Sequence, residues 1–129
     1  MARAKREKQD ETDAAATRRI LEAIANAADD KKAVDLVALQ VGGLTSLADY
    51  FVFCSGQSVR QTKTIADSIE QSLKQLGVKP HHVEGKATGH WILMDYGDII
   101  VHIFMPETRD FFDLEGLWGD AQAVKLGSA

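Results

Sequence analysis

Apolar residues recur along this chain with two different periods, and the changes of period mark out its elements. Ile20, Leu21, Ile24, Ala27 and Ala28 fall at helical spacing, which predicts a helix starting near Asp13 or Thr17 and closing at the solvated run Asp29-Asp30-Lys31-Lys32. Ala33 to Val41 reads as a strand stopped by Gly42-Gly43, and Leu44 to Asp49 as a short connection. Tyr50-Phe-Val-Phe-Cys54 is unbroken by polar residues, the mark of a strand covered on both faces. After Ser55-Gly56, Ser58 and Gln61 have capping-box spacing, and Val59, Thr62, Ile65, Ala66, Ile69, Leu73 and Leu76 predict an amphipathic helix ended by Gly77. His81 to Glu84 is a short strand, Gly85 to Gly89 an exposed loop, and residues 91–104 two strands around a tight turn. Pro106 opens a last helical segment in which Phe111, Phe112, Leu114, Leu117 and Trp118 alternate with Asp110, Asp113 and Glu115. The order α-β-β-α-β-β-β-α implies an α/β sandwich with a mixed sheet of about five strands flanked by helices. Residues 1–16 form a charged flexible arm, 17–118 the folded domain and 119–129 a loose tail.

The pair at 91–104 is the most informative stretch. A two-residue loop at Tyr96-Gly97 suits the positive φ that glycine supplies, and sets Asp95 opposite Asp98, Leu93 opposite Ile100 and Trp91 opposite His102. Alternation puts Trp91, Leu93, Asp95, Asp98, Ile100, His102 and Phe104 on one face and Ile92, Met94, Ile99, Val101 and Ile103 on the other. The aliphatic face is the natural core, because it buries no polar group. The mixed face has two readings. Either Trp91 and His102 cover the rim of a helix-packed sheet and the aspartates form the turn, or the face docks a partner.

Composition narrows the classes. A chain of 129 residues fits one domain with tails, and a net charge of −4 argues against broad nucleic-acid binding. The charge is uneven: residues 1–19 hold six basic and four acidic side chains, leaving nine basic and fifteen acidic in the rest. One cysteine, Cys54, excludes an internal disulfide and multi-cysteine metal sites. No apolar run reaches the roughly 20 residues that cross a bilayer, and no secretory or transit pattern opens the chain, so a cytoplasmic protein with no membrane partner is expected.

Candidate chemistry is sparse. Ser55-Gly56-Gln57-Ser58 before a helix resembles an anion site but lacks the P-loop lysine. His81, His82, His90 and His102 have no zinc-ligand spacing, and Cys54 ends a buried run, so neither a metal nor another cofactor is expected. Asp95 and Asp98, with Asp49 as a third acid, leave open an enzyme that holds Mg²⁺ and nucleotide. Trp91 and His102 beside Leu93 and Ile100, fringed by the two acids, instead have the make-up of a protein–protein hot spot. An exposed aromatic patch also leaves homodimerisation open.

Asp49-Tyr-Phe-Val-Phe-Cys-Ser-Gly-Gln-Ser58-Val-Arg60-Gln61 resembles the first signature of the ribosomal silencing factors, the Iojap family. Glu84-Gly85 with Trp91-x-x-x-Asp95-Tyr-Gly-Asp98-x-x-Val-His102 is similar to the second, and Arg109-x-Phe-Phe-x-Leu114-Glu115-x-Leu117-Trp118 to the closing segment. The match covers residues 17–120 or so. The resemblance implies a nucleotidyltransferase-like fold without enzymatic activity. It further implies binding to the large ribosomal subunit through large-subunit protein fourteen, which blocks joining of the small subunit and represses translation under nutrient limitation. It carries Trp91, Asp95, Tyr96, Gly97, Asp98 and His102, and also Arg109, Leu117 and Trp118, to that interface or its support. The arm before residue 17 and the tail after Trp118 lie outside the matched pattern, and the arm is expected to be idle, with a weak contact of its basic residues to ribosomal RNA as the alternative. The competing reading is a nucleotidyltransferase-like enzyme using Asp95 and Asp98 with Mg²⁺.

Overall fold

A computed structural model of the chain describes residues 2–126, with side chains from residue 13 onward. Helix α1 (Ala2–Asp30) begins well before Asp13. Its first turns are rich in Ala, Lys, Arg, Glu and Gln, good helix formers that need no apolar stripe to adopt the conformation. The side chains of the expected arm up to residue 12, and with them any contact to RNA, lie outside the described residues.

The remaining elements are β1 (Val34–Gln40), β2 (Tyr50–Ser55), α2 (Val59–Gln75), β3 (His82–Glu84), β4 (Trp91–Asp95), β5 (Ile99–Phe104), α3 (Pro106–Phe112), α4 (Leu114–Leu117) and β6 (Gln122–Ala123). The sheet runs β3-β4-β5-β2-β1-β6, with β2 and β5 parallel and the other pairs antiparallel. The α/β class and mixed sheet match expectation, with six strands in place of about five. The sixth comes from residues expected to form a loose tail. Gln122 and Ala123 pair with Gln40 and Leu39, and the Val124 N–H donates to the Ala38 carbonyl. Val124 and Leu126 pack on the core, so two apolar anchors and a short ladder suffice to dock this segment.

The sheet has two cores. On one face α1 lays Leu21, Ile24, Ala27 and Ala28, and α2 lays Ile65, Ala66, Ile69 and Leu73, onto Val52, Ile92, Met94, Val101 and Ile103. Helix α2 starts as its capping residues dictate: the Ser58 hydroxyl accepts from the Gln61 N–H, and the Gln61 amide oxygen accepts from the Gln57 N–H. On the other face Leu39, Val41, Phe51, Phe53 and Phe104 form an aromatic core covered by Leu114, Trp118 and Ala121 of the C-terminal segment.

The β4–β5 hairpin closes one residue later than the Tyr96-Gly97 turn expected. Tyr96 pairs with Ile99 through its N–H, and the loop is Gly97-Asp98, with Gly97 at φ +88° in its first position. Trp91 therefore stands opposite Phe104, Leu93 opposite His102 and Asp95 opposite Ile100. The expected Asp95–Asp98 and Trp91–His102 pairings are corrected. Moving the loop by one residue shifts each partner by two, so every strand residue keeps its face. Tyr96, which the expected turn left exposed, is instead buried with the aliphatic core, and burying its ring favours this register.

Candidate functional site

The mixed face of β4 and β5 is assembled as the alternation requires. His102 is buried, its ring stacked on Phe53 across the parallel β2–β5 pair at 5.0 Å and on Phe104 at 5.9 Å, with Phe51 edge-on. The Trp91 indole N–H donates to His102 Nδ1 at 3.1 Å, which fixes the imidazole as the neutral tautomer protonated on Nε2. Burial reinforces this by pushing the His102 pKa down to about 4. Trp91 itself is half-buried, tilted over Phe104 and touching Phe112 at 5.0 Å. A glycine allows this: a Cβ on Gly85 would lie 1.9 Å from the Trp91 carbonyl oxygen, so the β3–β4 loop can cross that close only without a side chain.

From Trp91 the open part of the face runs through Leu93 and Ile100 to Asp95, all half-buried. Trp91 and the turn sit at opposite ends of β4, roughly 13 Å apart at the usual rise per residue. The Asp95 carboxylate accepts from the Gly97 N–H at 2.8 Å, an Asx turn that makes it a builder of the hairpin. Asp98 is exposed at the tip, and its carbonyl accepts from Asp49 and Tyr50. Asp98 and Asp49, with Asp13, line an open cleft of about 650 Å³ between α1 and the strand ends, while Asp95 is not part of it. Among the described residues no group of three His, Cys, Asp or Glu side chains is placed to hold a metal. The three acids weighed as Mg²⁺ ligands are therefore not brought together.

The closing-segment residues separate by role. Arg109 is turned inward, 12% exposed, donating to Glu115 at 2.7 Å, Ser55 Oγ at 3.0 Å and the Asp35 carbonyl at 2.8 Å. That carbonyl is offered by a bulge in β1, where Asp35 adopts φ +53°. Arg109 thus straps α3 to α4 and to the ends of β1 and β2. Trp118 lies edge-on against Phe51 at 5.2 Å, and Leu117 points to solvent. Phe111 and Phe112, read from the sequence only as apolar positions of the closing segment, are exposed instead. The available signal was their setting: seven helical residues between Pro106 and Asp113 are too few to bury two adjacent aromatic rings.

The other candidates settle into the fabric. The Ser55–Ser58 turn uses its own donors, with Gly56 N–H on Phe104 and Gln57 N–H on Gln61. Cys54 is buried and its thiol pKa is pushed up to about 12 by desolvation, which keeps it protonated and inert. His82 pairs with Glu84 at 2.7 Å, and His81 abuts Gly97. No helix among the described residues is long and apolar enough to cross a membrane.

Residues 13–129 match the sequence model of a family described as "Ribosomal silencing factor during starvation", so the docked C-terminal residues belong to the family pattern. A Bacillus subtilis protein named "Ribosomal silencing factor RsfS" is 40% identical over 107 residues, covering 83% of this chain and 91% of that protein. A mouse protein named "Mitochondrial assembly of ribosomal large subunit protein 1" is 33% identical over 91 residues, which are 68% of this chain and 40% of the mouse protein. Among solved structures, the crystal structure of a Chromobacterium violaceum protein superposes with a TM-score of 0.77 at 36% identity, over 86% of this chain and 92% of that one.

Proposed function

The chain belongs to the ribosomal silencing factor (Iojap) family, and from that premise we propose that it binds the large ribosomal subunit through large-subunit protein fourteen. Bound there, it excludes the small subunit from the shared surface and represses translation when nutrients are scarce. The mechanism needs no bond to be made or broken, since one partner displaces another by occupying space. The mouse relative's name, which ties that protein to assembly of a large subunit, supports the choice of subunit. The protein works in the cytoplasm in this reading.

At residue level the reading is carried by the second sheet face, where Trp91, Leu93, Ile100 and Asp95 remain partly open in one stripe. Trp91 is the anchor. His102 holds its indole by hydrogen bond, Gly97 and Asp95 shape the turn at the far end of β4, and Asp98 lies exposed at the tip. Tyr96 supports the turn from the core side, and Arg109 and Trp118 support the segment carrying Leu117.

The test is co-sedimentation with separated subunits. The protein should pellet with large subunits and not with small ones, and should slow subunit joining in proportion to occupancy. Trp91→Ala should weaken binding about 30-fold or more, the usual loss for a central aromatic anchor. Micromolar binding of Mg-nucleotide by a protein that ignores large subunits would defeat this reading in favour of the enzyme.

A further inference from the structure

At the end of the sheet remote from β4, helix α1, strand β1 and the C-terminal strap 122–126 enclose a cavity of about 450 Å³. A break in the strand pairing opens it. β6 pairs with β1 only at Leu39 and Gln40, and Val124 adds one bond to Ala38. Beyond that point the bulge at Val34–Val37, with Asp35 at φ +53°, bends β1 and parts it from the strap. The strap is kept nearby by Arg18, whose guanidinium donates to the Lys125 carbonyl, and by Val124 and Leu126 against the core. Ala25, Ala33, Leu36, Val37, Val124 and Leu126, all half-buried, give the hollow an apolar lining. Three polar side chains join them: Asn26 and Asp29, one turn apart on the same face of α1, and Lys125 on the strap. None of these three side chains has a hydrogen bond or ion pair to another of the described residues. An apolar concavity of this size with a few convergent polar groups is the make-up of a small-molecule site.

We propose that this cavity binds a free apolar α-amino acid of about the size of leucine, its ammonium on the Asp29 carboxylate, its carboxylate on the Lys125 ammonium and its side chain among Ala25, Leu36 and Val37. Opposite charges on the two walls select a zwitterion, because a ligand with one charge leaves the other wall's group without a counterpart. Asp29 lies in the last turn of α1, where the helix dipole adds to the attraction for a cation. Asn26 can donate to the ligand's carboxylate or accept from its ammonium. The apolar lining disfavours amino acids with polar side chains, which would be buried there without partners. A protein partner suits the site poorly, since a stable interface covers about 800 Å² on each side and this is a hollow with room for a small molecule. The strap is the movable wall. Its two ladder residues and few anchors let it open locally for entry, and a ligand held between Asp29 and Lys125 fastens it to α1.

The experiment titrates the full chain by calorimetry with L-leucine and with two analogues, isopentylamine, which lacks the carboxylate, and isocaproate, which lacks the ammonium. Leucine should bind one-to-one with a Kd below about 1 mM, and each analogue about tenfold or more weakly for want of one charged contact. Asp29→Asn should weaken leucine binding about tenfold and leave isocaproate unchanged, while Lys125→Gln should do the same to leucine and leave isopentylamine unchanged. Both positions are exposed, so the unfolding midpoint of each variant should stay within about 2 °C of the original. Ala25→Leu fills the hollow and should abolish binding. The absence of binding heat at about 10 mM leucine overturns the inference. So does leucine binding that the charge variants and Ala25→Leu all leave intact, which would put the ligand elsewhere. Equal affinity for leucine and both analogues also overturns it, leaving an unselective apolar hollow.

Discussion

The two faces of the sheet use the same strands and are finished in opposite ways. One is aliphatic and lies under two long helices, whose Leu, Ile and Ala side chains leave it closed. The other is aromatic, includes a buried histidine, and is covered by two short helices that bury none of their own residues, together with Trp118 and Ala121 just after them. Closure on the first side provides cohesion. Incomplete closure on the second leaves Trp91, Leu93, Ile100, Phe111, Phe112 and Leu117 in contact with solvent. A surface that must exchange water for a partner cannot also be sealed by its own chain, and the proposed docking function therefore falls on the poorly covered face.

Breaking the closed face gives the largest effect. Ile69 of α2 is fully buried, and Ile69→Ala should cost about 2–5 kcal/mol through lost burial and the cavity left behind. Denaturant titration measures this, while large-subunit affinity per folded molecule should not change. A comparable affinity loss in the folded fraction would show that the two faces are coupled.

The aromatic face has a stability signature of its own. Because the His102 pKa falls from 6.5 to about 4 on folding, the unfolded chain binds the proton more readily between those values. Stability should be complete above pH 6.5, decline as pH falls through the window, and be down on the order of 3 kcal/mol near pH 4. His102→Phe fills the same stack without a titrating group, and should flatten that decline in denaturant midpoints measured from pH 7 to 4. A slope that survives the substitution would assign the acid sensitivity elsewhere.

These particulars show how far the sequence could be read. Face membership in β4 and β5 was legible because alternation is insensitive to a two-residue change of partner, and helix α2 because its cap and apolar stripe agree. The turn position was not, since both Tyr96-Gly97 and Gly97-Asp98 satisfy glycine's φ and only burial of the Tyr96 ring separates them. The docking of residues 122–126 was hidden because a two-residue strand has no detectable period, and its partner lies far away in the chain. His102 was legible as a face residue but not as a core residue. Its burial depends on Phe53 from β2, a neighbour that only the parallel pairing provides. Arg109 likewise matched a motif whose spacing could not say whether the guanidinium faced a partner or the protein's own Ser55 and Asp35.

Loosening the cover sharpens the contrast at smaller cost. Arg109→Met keeps the aliphatic stem and removes three donor contacts, so it should destabilise by about 2 kcal/mol, in the range for hydrogen bonds involving a charged group. Amide exchange should accelerate across 106–126 and stay unchanged in α2. Uniform acceleration would mean that the segment unfolds only with the whole domain.

The smallest effect tests the border between architecture and recognition. Asp95 accepts from the Gly97 N–H, and asparagine retains that acceptor oxygen while dropping the charge. Asp95→Asn should therefore leave stability within about 0.5 kcal/mol, whereas Asp95→Ala should lose about 1 kcal/mol with the Asx turn. If the carboxylate also faces a basic partner, the asparagine variant should bind large subunits a few-fold more weakly at low salt and converge with wild type as salt rises. Charge at the rim of an interface acts through screened, long-range attraction and is lost at high ionic strength. Binding curves that coincide at every salt concentration would confine Asp95 to building the turn, and the electrostatic contribution would then have to come from the acids of α3 and α4.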